Sequence, residues 1–361
     1  MALKEYKCLN CDGAINFDTS LQQMKCPFCD STFEVEAFLE MQNDEASEEN
    51  AEIDWAEHKD RPWGEGEQEG MRVYSCNSCA GEIVTDATTA ATKCPFCGNP
   101  IVMKGQLSGA AKPDLIIPFQ LDKEAAKQAL INHLSNKKLL PKCFKSKKTL
   151  DDISGLYVPF WLFDADVKAN MRFRATTTRV WMDSRFTYTE TRHFNVIRQG
   201  NMAFDAVPVD ASKKMPDDLM ESIEPFDISK AQPFKAGYLA GYMADKFDYE
   251  SEECVNRANQ RIRSSTEVAF RRTVTGYTAV IPQYQGVYLQ QSNVQYALLP
   301  VWAMTATWRG ETYLFAMNGQ TGKFVGNLPT DWGIFWKWFA IFAVVITAVL
   351  FLVAWIAGVS L

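Results

Sequence analysis

Histidine is scarce in this chain, with three in 361 residues, and positive charge is in the minority: 37 Lys and Arg stand against 44 Asp and Glu, a net charge of −7. His58, His133 and His193 show no metal-ligand spacing among themselves, so a histidine-based metal centre is not expected. The acidic balance argues against a surface built to coat nucleic acid, which needs Lys and Arg clusters that release counterions. Residues 1–7 are short and polar, so no cleavable signal peptide is expected and synthesis is expected to begin in the cytosol. Nor is there a phosphate loop: Gly319-Gln-Thr-Gly-Lys323 lacks the Gly-x-x-x-x-Gly-Lys-Ser/Thr order and reads as a hairpin turn.

Cysteine is where the sequence becomes informative. Eight of the ten cysteines fall in four Cys-x-x-Cys pairs, which in a reducing compartment read as metal ligands, not disulfides. Cys8, Cys11, Cys26 and Cys29 form one set; Cys76, Cys79, Cys94 and Cys97 form another, each with fourteen residues between its pairs. Gly13 and Gly81, Ile15 and Ile83, Asp18 and Asp86, Lys25 and Lys93, and the Cys-Pro-Phe-Cys knuckles align at a constant offset, the mark of a duplication. Two knuckles brought together make a closed tetrahedral S4 site with no position left for a catalytic water. Two zinc ribbons holding two structural Zn2+ ions are therefore expected, with iron in a rubredoxin-like site as the alternative. Gly13 and Gly81 are expected to supply turns with positive φ.

The expected architecture is α+β and multidomain: ribbon 1 over 1–33, an acidic linker over 34–70, ribbon 2 over 71–105, an α+β body over 106–330 and a membrane anchor over 331–361. The linker carries only Lys59 and Arg61 against many carboxylates and reads as solvated, with a helix over 33–41, either a spacer or an acidic docking segment. Trp338 to Val359 holds 22 residues without a formal charge, about 33 Å at ~1.5 Å per residue, enough to cross a bilayer. Trp332, Trp336, Trp338 and Trp355 suit the two interfaces. Reduced thiolate ligands and a polar first stretch lead to the expectation that the N-terminal mass lies on the cytoplasmic side.

In the body, Asp122 is expected to cap a helix with Ala126, Leu130 and Leu134 on one face, and Leu156 to Phe163 to form a buried strand. Strands on either side of Asp183 and Ser184 form a hairpin made basic by Arg172, Arg174, Arg179, Arg185, Arg192 and Arg198, which suits anionic lipid, RNA or plain solvent. A helix over 251–264 makes Cys254 a core thiol. Asp164 and Asp166 share a strand face, yet no companion motif supports catalysis, and the chain is not expected to be an enzyme. A weaker internal duplication aligns Pro159, Trp161 and Ala165 with Pro300, Trp302 and Ala306, and Ile117-Pro-Phe with Glu224-Pro-Phe, each expected to precede a helix.

The tandem ribbons, Tyr157-Val-Pro-Phe-Trp-Leu-Phe-Asp, Tyr238-Leu-Ala-Gly-Tyr, Asn318-Gly-Gln-Thr-Gly-Lys and the apolar tail together resemble a family of bacterial membrane proteins, chiefly Gram-positive. Members are described as TFIIB-type zinc-ribbon proteins or as relatives of the primosomal replication-restart helicase, although the helicase motifs are missing here. The resemblance implies zinc at the eight cysteines, a bilayer, and partners of the SPFH (flotillin-like) and phage-shock type, hence an adaptor or scaffold. Nucleic-acid binding through the ribbons is the alternative, which Asp12, Glu82 and Asp86 do not favour.

Overall fold

A computed structural model describes residues 6–8, 13–36, 38–39, 55, 57–59, 61–89, 91–107 and 111–356. The chain forms two units: Met1–Ala56 with Phe163–Val207 and Asn256–Asn293, and Glu57–Leu162 with Pro208–Val255 and Val294–Leu361.

The first unit begins with ribbon 1, whose strands β1 (Asn16–Asp18), β2 (Gln23–Lys25) and β3 (Thr32–Phe33) make an antiparallel sheet of their own in the order β1-β2-β3. Ile15, Met24 and Phe38 pack with Cys8 and Cys26 into a small core. Of the helix expected over 33–41, residues 35, 36, 38 and 39 are helical, while 37, 40 and 41 lie outside the described residues.

Ribbon 2 contributes β4 (Arg72–Ser75), β5 (Glu82–Thr85) and β6 (Val102–Gln106). Then follow β7 (Leu115–Ile116), helices α1 (Lys123–Ser135) and α2 (Lys147–Asp151), and the long strands β8 (Ser154–Met182) and β9 (Thr187–Asp210). Helix α3 (Asp217–Ile223), β10 (Gln232–Pro233), β11 (Met243–Asp245) and α4 (Ser251–Arg272) lead to β12 (Ala279–Trp308), β13 (Glu311–Asn318), β14 (Phe324–Gly326) and α5 (Trp332–Ile356). In the second unit the sheet runs β10-β7-β12-β8-β11-β5-β4-β6, with β13 beside β12. The buried strand expected at 156–163 is the first third of β8, and its residues are buried on both faces. Asp122 caps α1 by accepting the Ala125 N–H at 2.8 Å, and Ala126, Leu130 and Leu134 pack on Trp302, Phe315 and Met317.

The aligned halves share backbone geometry at their prolines. Leu156 and Tyr157 of β8 take β11 as a parallel neighbour, and the aligned Ala297 and Leu298 of β12 take β7. Pro159 O accepts from Ala211 N at 3.0 Å and Pro300 O from Gly319 N at 2.8 Å; Trp161 and Trp302 each donate their indole N–H to a backbone carbonyl. The other aligned pair differs. Ile117-Pro-Phe leads into α1, whereas Glu224-Pro-Phe leads only into a 3-10 turn at Ile228–Lys230, and the next α-helix begins at Ser251.

In the acidic stretch expected to be solvated, residues 57, 59, 61, 62, 64–66 and 69 are exposed, and aromatic side chains among them are anchored. In the first unit Trp55 packs edge-on to Phe163 at 5.0 Å and donates to Asn259 Oδ1 at 2.9 Å. In the second, the His58 ring lies 4.9 Å from Trp161, Arg61 Nε sits 2.6 Å from buried Asp114, and Trp63 meets Phe234. Averaged over 37 positions of sequence, the carboxylates hide these three aromatic anchors.

In the rest of the first unit, Ala165, Val167, Ala169, Met171, Phe173 and Ala175 of β8 alternate inward against Ile262 and Phe270 of α4 and Val287 of β12. Helix α4 runs eight residues past the expected end at 264. Its Glu252 and Glu253 sit in the first turn and Arg271 and Arg272 in the last, each suiting the helix dipole. Asp331 precedes helix α5 and its side chain accepts the Gly333 N–H at 2.9 Å; the window Trp332–Val353 has a mean hydropathy of 2.3 and none of it is buried. It is long and apolar enough to cross a membrane. Ser360 and Leu361 lie outside the described residues.

Candidate metal centres

In three of the knuckles, among the described residues, the first cysteine's N–H and C=O are both used. Cys76 N donates to Gly81 O at 2.9 Å and Cys76 O accepts from Ala80 N at 2.9 Å; Cys94 does the same with Asn99 (2.8 Å) and Gly98 (2.9 Å). In ribbon 1, Cys26 pairs with Ser31 at 2.9 Å and Asp30 at 3.0 Å, and Cys8 N donates to Gly13 O at 2.7 Å. These turns aim the sulfurs inward. The four Sγ atoms of Cys76, Cys79, Cys94 and Cys97 lie within 4.8 Å of one another, with Cys76–Cys97 and Cys79–Cys94 at 3.5 Å. Cys8, Cys26 and Cys29 converge likewise, Cys8–Cys29 at 3.6 Å. Cys11 lies outside the described residues.

A tetrahedral S4 site with metal–sulfur bonds of about 2.3 Å needs sulfurs about 3.8 Å apart, so both clusters are compatible with a metal ion. Burial opposes ionisation of the Cys76 thiol, yet the N–H groups of Cys79 and Ser78 and the neighbouring thiols outweigh it and bring the thiol down to about 7. Burial prevails at Cys79 and Cys94, which are pushed up. A cation would draw all four toward thiolate. Asn99 Nδ2 reaches Cys97 Sγ at 3.4 Å and Ser31 Oγ reaches Cys29 Sγ at 3.1 Å, giving each cluster an outer hydrogen bond.

The glycines after the first knuckles have a different task from the one expected. Positive φ belongs to the residue following the second cysteine of a knuckle: Asp30 at 56°, Ala80 at 57° and Gly98 at 74°. Gly13 and Gly81 are needed because the phenylalanine of the Cys-Pro-Phe-Cys knuckle lies over them. A Cβ at Gly81 would come 3.0 Å from the Phe96 ring, and at Gly13 2.6 Å from the Phe28 ring. The tighter contact should be the cheaper one to violate, because Phe28 is exposed and can swing away while Phe96 is walled in. Gly81→Ala is expected to cost about 1–3 kcal/mol, and Gly13→Ala less than about 1 kcal/mol, read from thermal melts and the rate of metal loss to a chelator.

The two ribbons are held in opposite ways. Strand β5 of ribbon 2 pairs antiparallel with β11 through Val84–Ala244 and Ile83–Asp245, so the ribbon continues the sheet. Its second knuckle is pinned as well: Thr305 Oγ1 donates to Pro95 O at 2.7 Å, and Lys93 meets Asp152 at 2.8 Å. Phe96 is only 7% exposed. At the matching positions of ribbon 1, Phe28 is 73% and Phe17 47% exposed, and β1 pairs with β2 alone among the described residues.

The remaining candidates fall elsewhere. Asp164 accepts the Ala206 N–H at 2.8 Å and the Asn293 amide at 3.0 Å, a strand-bracing role, while Asp166 is exposed. Gly319 to Lys323 is a turn closed on Asn318, whose side chain accepts the N–H groups of Gln320 and Thr321. Cys254 is buried and Cys143 exposed. Sequence reasoning missed a buried polar group in the second unit. Asp245 on β11 meets Ser212 Oγ at 2.5 Å and lies 3.9 Å from Lys214 Nζ, which also pairs with Asp248. Residues so dispersed leave no local pattern to find.

No family model and no solved structure matches the chain. It is 36% identical over 239 residues, 66% of its own length and 70% of the relative's, to the "Uncharacterized protein YdjG" of Bacillus subtilis (strain 168). The chain belongs to the YdjG family. That relationship assigns neither an activity nor a partner to either metal centre, so the geometry has to carry the functional argument.

Proposed function

We propose that the chain is a non-enzymatic adaptor or scaffold, anchored by α5 with its ribbons on the cytoplasmic face, that holds zinc in both clusters and recruits partners through ribbon 1. The observation that carries this reading is the contrast between the two copies. Ribbon 2 buries Thr85 at the end of the strand that joins β11 and Phe96 in its second knuckle, and at the same two positions ribbon 1 presents Phe17 and Phe28 to solvent. Large apolar side chains left in solvent mark a surface that a partner can cover. SPFH-domain and phage-shock proteins, which the family resemblance suggests, are the partners to look for first. The matched geometry at Pro159 and Pro300 supports reading the body as two copies of one unit. Nucleic-acid binding by the ribbons is the competing reading, and Phe17 and Phe28 favour it less than exposed Lys and Arg would.

The test is purification of the full chain from crosslinked, detergent-solubilised membranes, with mass spectrometry, metal analysis and an assay for bound nucleic acid. Recovery of an SPFH or phage-shock protein with the parent, reduced at least about tenfold by Phe17→Asp with Phe28→Asp while two zinc ions remain bound, supports the adaptor. Nuclease-sensitive nucleic acid without such partners overturns it, and iron in place of zinc overturns the metal assignment.

A further inference from the structure

The hairpin that joins β8 to β9 in the first unit ends in a tip, residues 178–189, that is exposed throughout. Solvated hairpin ends are normally polar, yet this one carries Val180, Trp181, Met182, Phe186 and Tyr188, with Met182 74% and Phe186 62% exposed. Strand alternation puts Trp181, Phe186 and Tyr188 on one face, where Trp181 and Tyr188 stack at 5.5 Å, and puts Val180 and Met182 on the other. Apolar side chains on both faces of a two-stranded ribbon are hard to cover with one groove of a folded partner, and they suit a medium that surrounds the tip.

Charge narrows that medium. From 171 to 198 the chain carries six arginines against one aspartate and one glutamate, in a protein whose net charge is −7. The two acids are spent locally: Asp183 closes the turn by accepting from Arg185 N and Phe186 N at 2.7 Å, and Glu190 pairs with Arg192 at 2.8 Å. Arg179 lies over the Trp181 ring at 5.7 Å, and Arg185 sits at the turn itself. Aromatic rings with a Met and flanking guanidinium groups match the boundary between headgroups and acyl chains of an anionic bilayer. We propose that this tip inserts into the interfacial layer of an anionic phospholipid surface, giving the chain a second membrane contact besides α5. The proposal rests on the reading of α5 as a membrane anchor. RNA would also accept arginine and aromatic side chains, but Val180 and Met182 offer it nothing to stack on.

The full chain, reconstituted into phosphatidylcholine vesicles with or without phosphatidylglycerol, would carry a benzophenone amino acid in place of Phe186 or, as the anchor control, in place of Leu350. Irradiation followed by mass spectrometry reads what each position touches. Lipid adducts at 186 are expected in the anionic vesicles, falling about fivefold or more without phosphatidylglycerol and again in the Arg179→Glu/Arg185→Glu variant, while adducts at 350 stay constant. Adducts at 350 but none to lipid at 186, adducts at 186 only to a second copy of the chain, or transfer of the 186 adduct to added RNA overturn the tip proposal and spare the anchor. Lipid adducts at 186 without any at 350 support the tip and overturn the anchor; none at either overturns both.

Discussion

Cys79→Ser should melt the sheet of the second unit, whereas Cys29→Ser should cost the chain one metal ion and leave that sheet standing. Either substitution removes a thiol from a cysteine cluster and should lower the bound metal by one ion. The consequences diverge because of what each cluster holds. In ribbon 2 the cluster fixes the β4–β5 turn and β5 pairs with β11, which in turn pairs with β8. Metal binding energy in such small units is on the order of 10–16 kcal/mol and is largely folding energy, so its loss spreads along the hydrogen-bonded ladder. Cys76 and Cys94 are buried, each with a second thiol at 3.5 Å, Cys97 and Cys79 respectively, so an unligated cluster leaves thiols crowded together. Ribbon 1 has a separate three-stranded sheet and a separate core of Ile15, Met24 and Phe38. Its loss should remove only that core. Metal analysis with near-UV circular dichroism and thermal melting decides: an identical cooperative melt for both variants would refute the division of labour.

The same contrast shows what a duplicated motif conceals. The ligands, the Cys-Pro-Phe-Cys knuckles and Asp18 and Asp86 repeat so closely that both cysteine clusters were legible from spacing, while the turn-closing role of the aspartates was not. Asp18 accepts from Ser20 N at 2.8 Å, and Asp86 accepts from Thr89 N at 2.9 Å. Ribbon 2's incorporation into the sheet was written only in the filling: Ile83-Val-Thr, all buried, stands where ribbon 1 has Ile15-Asn-Phe. The helix α1 was legible to its buried residues because a capping Asp and a 3.6-residue period speak locally. Strands of 29 and 30 residues were not: the buried run at 156–163 reads as separate from the hairpin that follows, because Asp164, Asp166 and Lys168 interrupt the apolar pattern. Each proline lends its carbonyl to Ala211 or Gly319, so neither interrupts its strand.

Asp245→Asn should stabilise the protein at pH 8 and change little near pH 4, the reverse of what the loss of a salt bridge would do. Burial raises the Asp245 carboxyl from 3.8 to about 7, and nearby Asp248 pushes the same way; Lys214, Ser212 and the Lys246 N–H pull it back only in part. The unfolded chain has released this proton by about pH 5, whereas the folded chain keeps it to about pH 7. Stability contributed by the neutral form is therefore complete below pH 4, falls as pH rises from about 4 to about 7, and is lost above, a difference on the order of 4 kcal/mol. Asparagine fits because it copies the protonated acid. Its amide N–H can donate to Ser212 Oγ, which lies 2.5 Å from one carboxyl oxygen, and its carbonyl can accept the Lys246 N–H, now 2.9 Å from the other. Lys214 keeps Asp248 as a partner. Thermal melts of parent and variant between pH 4 and 8 should converge at the acid end and separate by several degrees at the other. A variant less stable at pH 8 would mean that Asp245 is ionised in the fold and that Lys214, 3.9 Å away, is its true counterion.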